Sequence, residues 1–202
     1  MAATQPIPRG EYVPTADRRV VLHGVSWSQY EAQLAVRGDR SSPRISYLDG
    51  EMELMSPSKD HERIKSYIGM LIEAFALEGL DLSPYGAWTL KEAAKRAGVE
   101  PDECYLLGSD QSRQTPDLVI EVIWTSGGID KLEAYGRLGV PEVWFWKDGG
   151  IRVYLLRGDR YEATERSACL SELDLEMLVS FLDRPTAMQA VRAFRTALSA
   201  PR

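Results

Sequence analysis

Pro116-Asp117-Leu118-Val119-Ile120-Glu121-Val122-Ile123-Trp124 sets an acid inside an apolar, largely β-branched run. Strand alternation puts Leu118, Ile120, Val122 and Trp124 on one face, and Asp117, Val119, Glu121 and Ile123 on the other. Apolar residues on both faces predict a central, buried strand. A carboxylate in such a strand is costly unless it is paired, hydrogen-bonded or bound to a metal. Glu121 therefore needs a partner. Upstream, Glu100-Pro101-Asp102-Glu103-Cys104-Tyr105-Leu106-Leu107 predicts a second strand over 102–107, followed by a polar connection over 108–115.

Downstream, Thr125-Ser126-Gly127-Gly128 reads as a turn, and a helix follows over about 129–138, opening at Asp130-Lys131. Val143–Trp146 and Ile151–Leu155 then form a hairpin across Asp148-Gly149. The unit from 117 to 146 is long enough for a right-handed parallel crossover. Toward the N-terminus, Ser26-Trp27-Ser28-Gln29 is a capping box that starts a helix over 27–36. Asp49-Gly50 joins strands at 45–48 and 52–55. Ser56-Pro57-Ser58 leads into a long helix over about 59–78, with an apolar stripe of Ile64, Ile68, Leu71, Ile72 and Phe75. Trp88-Thr89-Leu90 reads as a short strand, and Lys91–Ala97 as a helical turn closed by Gly98. A loose helix over 173–182 and a last one capped by Thr186 complete the chain.

This order predicts an α/β fold, α+β-like in character, with a mixed central β-sheet flanked by helices. Residues 1–25 are expected to form an extended N-terminal arm, 26–185 the main domain, and 186–202 a C-terminal helix on it.

Composition narrows the function. The 202 residues are 44% hydrophobic and 27% charged, which is ordinary for a globular protein. A net charge of -6 argues against a protein that coats nucleic acid non-specifically, though not against a nuclease with bases at its rim. No apolar run is long enough to span a membrane, and Met1–Gly10 lacks an apolar signal core, so a cytoplasmic protein is expected. Two cysteines and two histidines exclude a disulfide framework and a four-Cys or His-rich zinc site. Cys104 is expected to be a small buried hydrophobe. No nucleophile elbow, phosphate-binding glycine loop or dinucleotide fingerprint occurs, and Gly127-Gly128 is read simply as a turn.

Asp102 opens one strand and Glu121 lies inside another, so neighbouring strands would let both carboxylates reach one point. Two carboxylates and a main-chain carbonyl suit Mg2+ or Mn2+. Asp117 shares Glu121's face but lies about 13 Å from it along an extended strand, which suggests a role at the rim. Lys131 lies about 40° from the centre of its helix's inner face, and it either snorkels past the core or points at the acids. His61 opens the long helix near the apolar stripe, as a satisfied histidine at the core edge or as a helper of the site. Without a metal, Asp102 is a strand opener and Glu121 pairs with a lysine.

At Glu100–Tyr105, Pro116–Val122 and Gly139-Val140-Pro141-Glu142-Val143-Trp144 the chain resembles the Uma restriction-endonuclease family, in the PD-(D/E)XK nuclease superfamily. Asp49-Gly50-Glu51, Met55-Ser56-Pro57, His61 and the hairpin at 144–155 fit too, so the resemblance covers roughly 27–182. It implies a restriction-endonuclease-like core and magnesium-dependent hydrolysis of DNA phosphodiester bonds. Asp102 and Glu121 would be the motif's acids, with the Val122 carbonyl as a further ligand. The motif lysine is missing, because Ile123 stands two residues after Glu121; Lys131 is the natural replacement. His61 and Asp117 are auxiliary candidates. The leading expectation is a metal-dependent endonuclease acting on DNA, with pairing into a homodimer plausible for this fold. The alternative is a catalytically impaired nuclease-like domain that binds DNA or protein.

Overall fold

A computed structural model describes residues 15–125 and 127–200. Most of the expected N-terminal arm, residues 1–14, and Ser126 of the expected turn lie outside the described residues. The first half of the chain contains β1 (Arg18–Leu22), α1 (Trp27–Arg37), β2 (Arg44–Leu48), β3 (Glu51–Ser56) and α2 (Lys59–Ala76). Four short strands follow: β4 (Leu82–Pro84), β5 (Leu90–Glu92), β6 (Ala97–Val99) and β7 (Glu103–Leu107). Next come β8 (Leu118–Val122), α3 (Lys131–Leu138), β9 (Glu142–Lys147), β10 (Gly150–Arg157) and β11 (Arg160–Thr164). Helices α4 (Leu175–Ser180) and α5 (Ala187–Leu198) end the chain.

The expected mixed sheet is six-stranded, in the order β11-β10-β9-β8-β7-β4. Within it β8 and β9 run parallel through the α3 crossover, and the other pairs are antiparallel. A second, wholly antiparallel sheet, β1-β3-β2-β6-β5, was not distinguished by the sequence pattern. Leu118, Ile120 and Val122 face a core shared with α2, α4 and α5, while Val119 joins the core beneath α3 and the smaller sheet. The strand is therefore buried on both faces, as its composition predicts.

Local chemistry sets most boundaries. The Ser26 capping box forms as predicted, with the Ser26 side chain accepting from the Gln29 N–H. Ser58 caps α2, Asp130 caps α3, and Thr186 caps α5. Both hairpins take left-handed turns, with φ of 48° and 98° at Asp49-Gly50 and 51° and 79° at Asp148-Gly149.

Residues 91–97 depart from expectation. The helical turn is instead the tip of the β5–β6 hairpin, with Arg96 at φ 50°. Gly98 does not cap a helix there. It lies mid-strand because the Tyr30 ring occupies the place of a side chain, with Cζ 2.6 Å from where a Cβ would stand. Residues 160–164, around Tyr161, are strand β11, and residues 18–22 of the expected arm are strand β1.

Candidate active site

Glu103 pairs with Ile120 across the antiparallel β7–β8 ladder. One step outward, Asp102 and Glu121 fall opposite each other, so the expected neighbours are neighbours. Their partners differ. Asp102 is fully buried, and its Oδ2 accepts from the Val122 N–H at 2.6 Å. Its Oδ1 faces His61 Nε2 at 3.0 Å and forms an ion pair with Arg44 of β2. Glu121, 1% exposed, takes Lys131 Nζ on Oε2 at 2.7 Å and the Tyr135 hydroxyl on Oε1. Of the two orientations open to Lys131, it adopts the one toward the acids.

A pocket opens beside Glu121. Its walls include Arg19, Glu53, Val122, Ile123, Gly127, Ile129, Lys131 and Phe145. Glu53 is 2% exposed and pairs with Arg19, whose Nε lies 3.0 Å from Oε2. Burial holds the Glu53 carboxyl above its ordinary range, and the nearby Glu121 charge adds to the rise; Lys131 and Arg19 oppose it. Burial likewise lowers the basicity of His61, against the pull of Asp17, whose Oδ2 lies 3.1 Å from His61 Nδ1. The imidazole thus carries one carboxylate at each ring nitrogen.

The sequence profile of Uma2, described as "Putative restriction endonuclease", matches residues 27–186. The chain belongs to the Uma2 family. A solved structure described as a "putative nuclease belonging to DUF820", from Anabaena variabilis ATCC 29413, superposes with a TM-score of 0.54. It is 15% identical, and the match covers 73% of this chain and 96% of that one. The fold of this Uma2 chain is accordingly the restriction-endonuclease-like α/β fold. No curated protein sequence matches the chain.

In this Uma2 chain Arg19, Lys131 and Met55 also line the pocket and Asp102 does not, and the acids of the lining are Glu53, Glu121 and Asp130, the last of which caps α3. Carboxylates suit a small hard cation such as Mg2+, which binds through one or two of them and keeps several waters. Among the described residues no three of His, Cys, Asp and Glu converge closely enough to hold an ion unaided. The two buried carboxylates of the pocket, Glu53 and Glu121, fit a cation as an incomplete ligand set, and each already faces a basic side chain, Arg19 and Lys131. Val122 lines the pocket as well, and its N–H orients Asp102.

Asp117 is not brought to this pocket. Its carboxylate accepts from the Leu107 N–H at 2.7 Å and pairs with Arg113 at 2.5 Å, fastening the 108–115 connection. Ile123 stands in the pocket wall as an apolar residue. Sequence reasoning missed Glu53, Arg19, Arg44, Asp17 and Tyr135. For Glu53 the signal was present: Met52-Glu53-Leu54-Met55 is another acid inside an apolar strand, open to the argument applied to Glu121. Gly127-Gly128 is also more than a turn. Both glycines take positive φ, 106° and 102°, and a Cβ on Gly128 would lie 2.9 Å from Glu53 Cδ. The pair roofs the Glu53–Arg19 ion pair.

Proposed function

We propose that this Uma2 chain is a metal-dependent endonuclease that hydrolyses DNA phosphodiester bonds, with Glu121 and Lys131 at its centre. The observation that carries the reading is the Lys131–Glu121 pair at 2.7 Å on the wall of a pocket that also holds Glu53. A lysine missing from position 123 is thus supplied from the next helix, to the same carboxylate. Family membership supports a nuclease, and the carboxylates of Glu53 and Glu121 in one pocket support Mg2+ or Mn2+ as cofactor.

A bound divalent ion supplies hydroxide from coordinated water and neutralises charge on a phosphoryl oxygen. Glu53 and Glu121 would hold it, with Asp102 bracing β8 through the Val122 N–H. Lys131 holds Glu121 in place and offers its remaining protons to a phosphoryl oxygen or the attacking water. Tyr135 fixes the other oxygen of Glu121, so the carboxylate cannot rotate away. Ile123 and Phe145 add apolar surface to the pocket wall.

The test is cleavage of plasmid and single-stranded DNA with Mg2+ or Mn2+, by the parent and Glu121→Ala side by side. Metal-dependent cutting by the parent alone is the expected result. Equal rates for both proteins would overturn the assignment.

One observation favours a second reading, a silent nuclease-like domain that binds DNA or protein. Both oxygens of Asp102 are engaged, by Arg44, His61 and the Val122 N–H. Under that reading Mn2+ leaves the melting temperature of the parent unchanged. Under the first reading it raises it, and Glu121→Ala removes the rise.

A further inference from the structure

Thr15 and Asp17 stand just before β1 and Arg19 lies within it. Each is tied to the region of the site. Thr15 Oγ1 donates to Asp60 at 2.8 Å, Asp17 meets His61 and the Ser58 N–H, and Arg19 reaches Glu53. This segment precedes residues 27–186, the span that matches the Uma2 family.

We propose that Arg19 is a phosphate-binding residue of the pocket, holding a DNA phosphodiester oxygen beside Glu121 and Lys131. The inference rests on the nuclease reading and adds a residue to it. A guanidinium carries five N–H donors in a rigid fork that suits phosphate oxygens. Two directions are used: Nε faces Glu53 Oε2 at 3.0 Å, and Nη1 donates to the Thr125 carbonyl at 3.0 Å. Nη2 has no such partner among the described residues, and the side chain is 17% exposed, against 3% for Glu53.

The fork therefore stands at the pocket wall with donors to spare. Its two anchors also explain its placement. The Thr125 carbonyl and the Gly127-Gly128 roof hold the guanidinium from the β8 side, and a Cβ on Gly128 would lie 3.2 Å from Arg19 Nε. Glu53 cannot serve Arg19 and a cation at full strength together. Arg19 is thus a counter-ion to Glu53 in the free protein and a ligand for substrate phosphate in the complex.

The test measures binding of a labelled DNA duplex across a salt series, without divalent ion, for the parent, Arg19→Ala and Arg19→Lys. A second measurement takes the Mn2+-induced shift in melting temperature. Each phosphate contact contributes about 0.9 to the slope of log affinity against log salt. Arg19→Ala is expected to weaken binding about tenfold and lower the slope by about one, whereas Arg19→Lys keeps most of the slope. Arg19→Ala should also show a larger Mn2+ shift, because Glu53 has lost its competitor. A purely structural role would lower stability and leave the salt slope unchanged. Equal slopes for parent and Arg19→Ala would overturn the proposal while the nuclease reading stands. A parent that binds no duplex would overturn the nuclease reading and this inference with it.

Discussion

Lys131 Nζ lies 2.7 Å from Glu121 Oε2, although the two residues belong to a helix and a strand on opposite sides of a glycine turn. The pair is nearly closed to solvent, with side-chain exposures of 10% and 1%. Breaking a buried pair from one side leaves a charge without compensation, at a cost of about 3–5 kcal/mol. Lys131→Met should therefore lower stability by about 3 kcal/mol as well as abolish cleavage. Adding Glu121→Gln to that variant should restore much of the stability and none of the activity. Urea unfolding of the four proteins in this cycle checks both statements, and additive effects would mean that the two side chains do not interact.

Tyr135 is fully buried, and its hydroxyl donates to Glu121 Oε1. Burial and the Glu121 charge together push its phenol far above the ordinary range, so it stays a donor throughout the accessible pH range. Tyr135→Phe removes that donor and leaves a buried carboxylate oxygen short of a partner, at about 1–3 kcal/mol. The expected result is a lower urea midpoint and a reduced turnover number with little change in DNA affinity. A variant as active as the parent would show that Tyr135 does not orient Glu121.

Gly128 takes φ 102° directly above Glu53. A Cβ there is strained by the backbone alone, at about 1–3 kcal/mol, and it also displaces the carboxylate beneath. Gly128→Ala is expected to lose the Mn2+-dependent rise in melting temperature, while Gly149→Ala, at a φ of 79° in open space, keeps it. Retention of the Mn2+ effect in Gly128→Ala would remove Glu53 from the ion site.

Away from the pocket, burial raises the pKa of Glu103, and the Gly86 N–H, donating to its Oε1 at 2.6 Å, only partly offsets this. The native state keeps that proton where the unfolded chain has released it. The associated stability is complete below the ordinary glutamate range and is lost as pH rises through the raised native value. Glu73, raised by burial and by Glu103, behaves likewise. Glu103→Gln is permanently neutral and can accept the same hydrogen bond. Its melting temperature should gain on the parent as pH rises from the acidic side of the carboxylate range toward neutrality. Parallel curves would contradict the shift.

Much of the fold was legible because its signals are local. Asp49-Gly50 and Asp148-Gly149 announce left-handed turns, Ser26-x-x-Gln29 announces a helix start, and the stripe from Ile64 to Ile72 falls on the face that α2 buries. Glu121 could be placed on its face and recognised as an acid in need of a partner by alternation alone. Residues 91–97 were misread because two alanines in a short turn look helical until Tyr30 is seen packing against Gly98.

The sequence by itself determined most of the helices, both Asp-Gly hairpins, the buried acid and the shortage of a lysine at Ile123. Only the tertiary structure decided who meets whom. Helical-wheel arithmetic left Lys131 with two orientations, and the packing of α3 on the smaller sheet selected the one toward Glu121. Glu53, Arg19 and Arg44 come from three strands whose pairing brings them around β8, and no short-range pattern encodes that meeting. Periodicity is a property of neighbours along the chain. The site is assembled from side chains brought together by core packing, and burial then sets which charges pair.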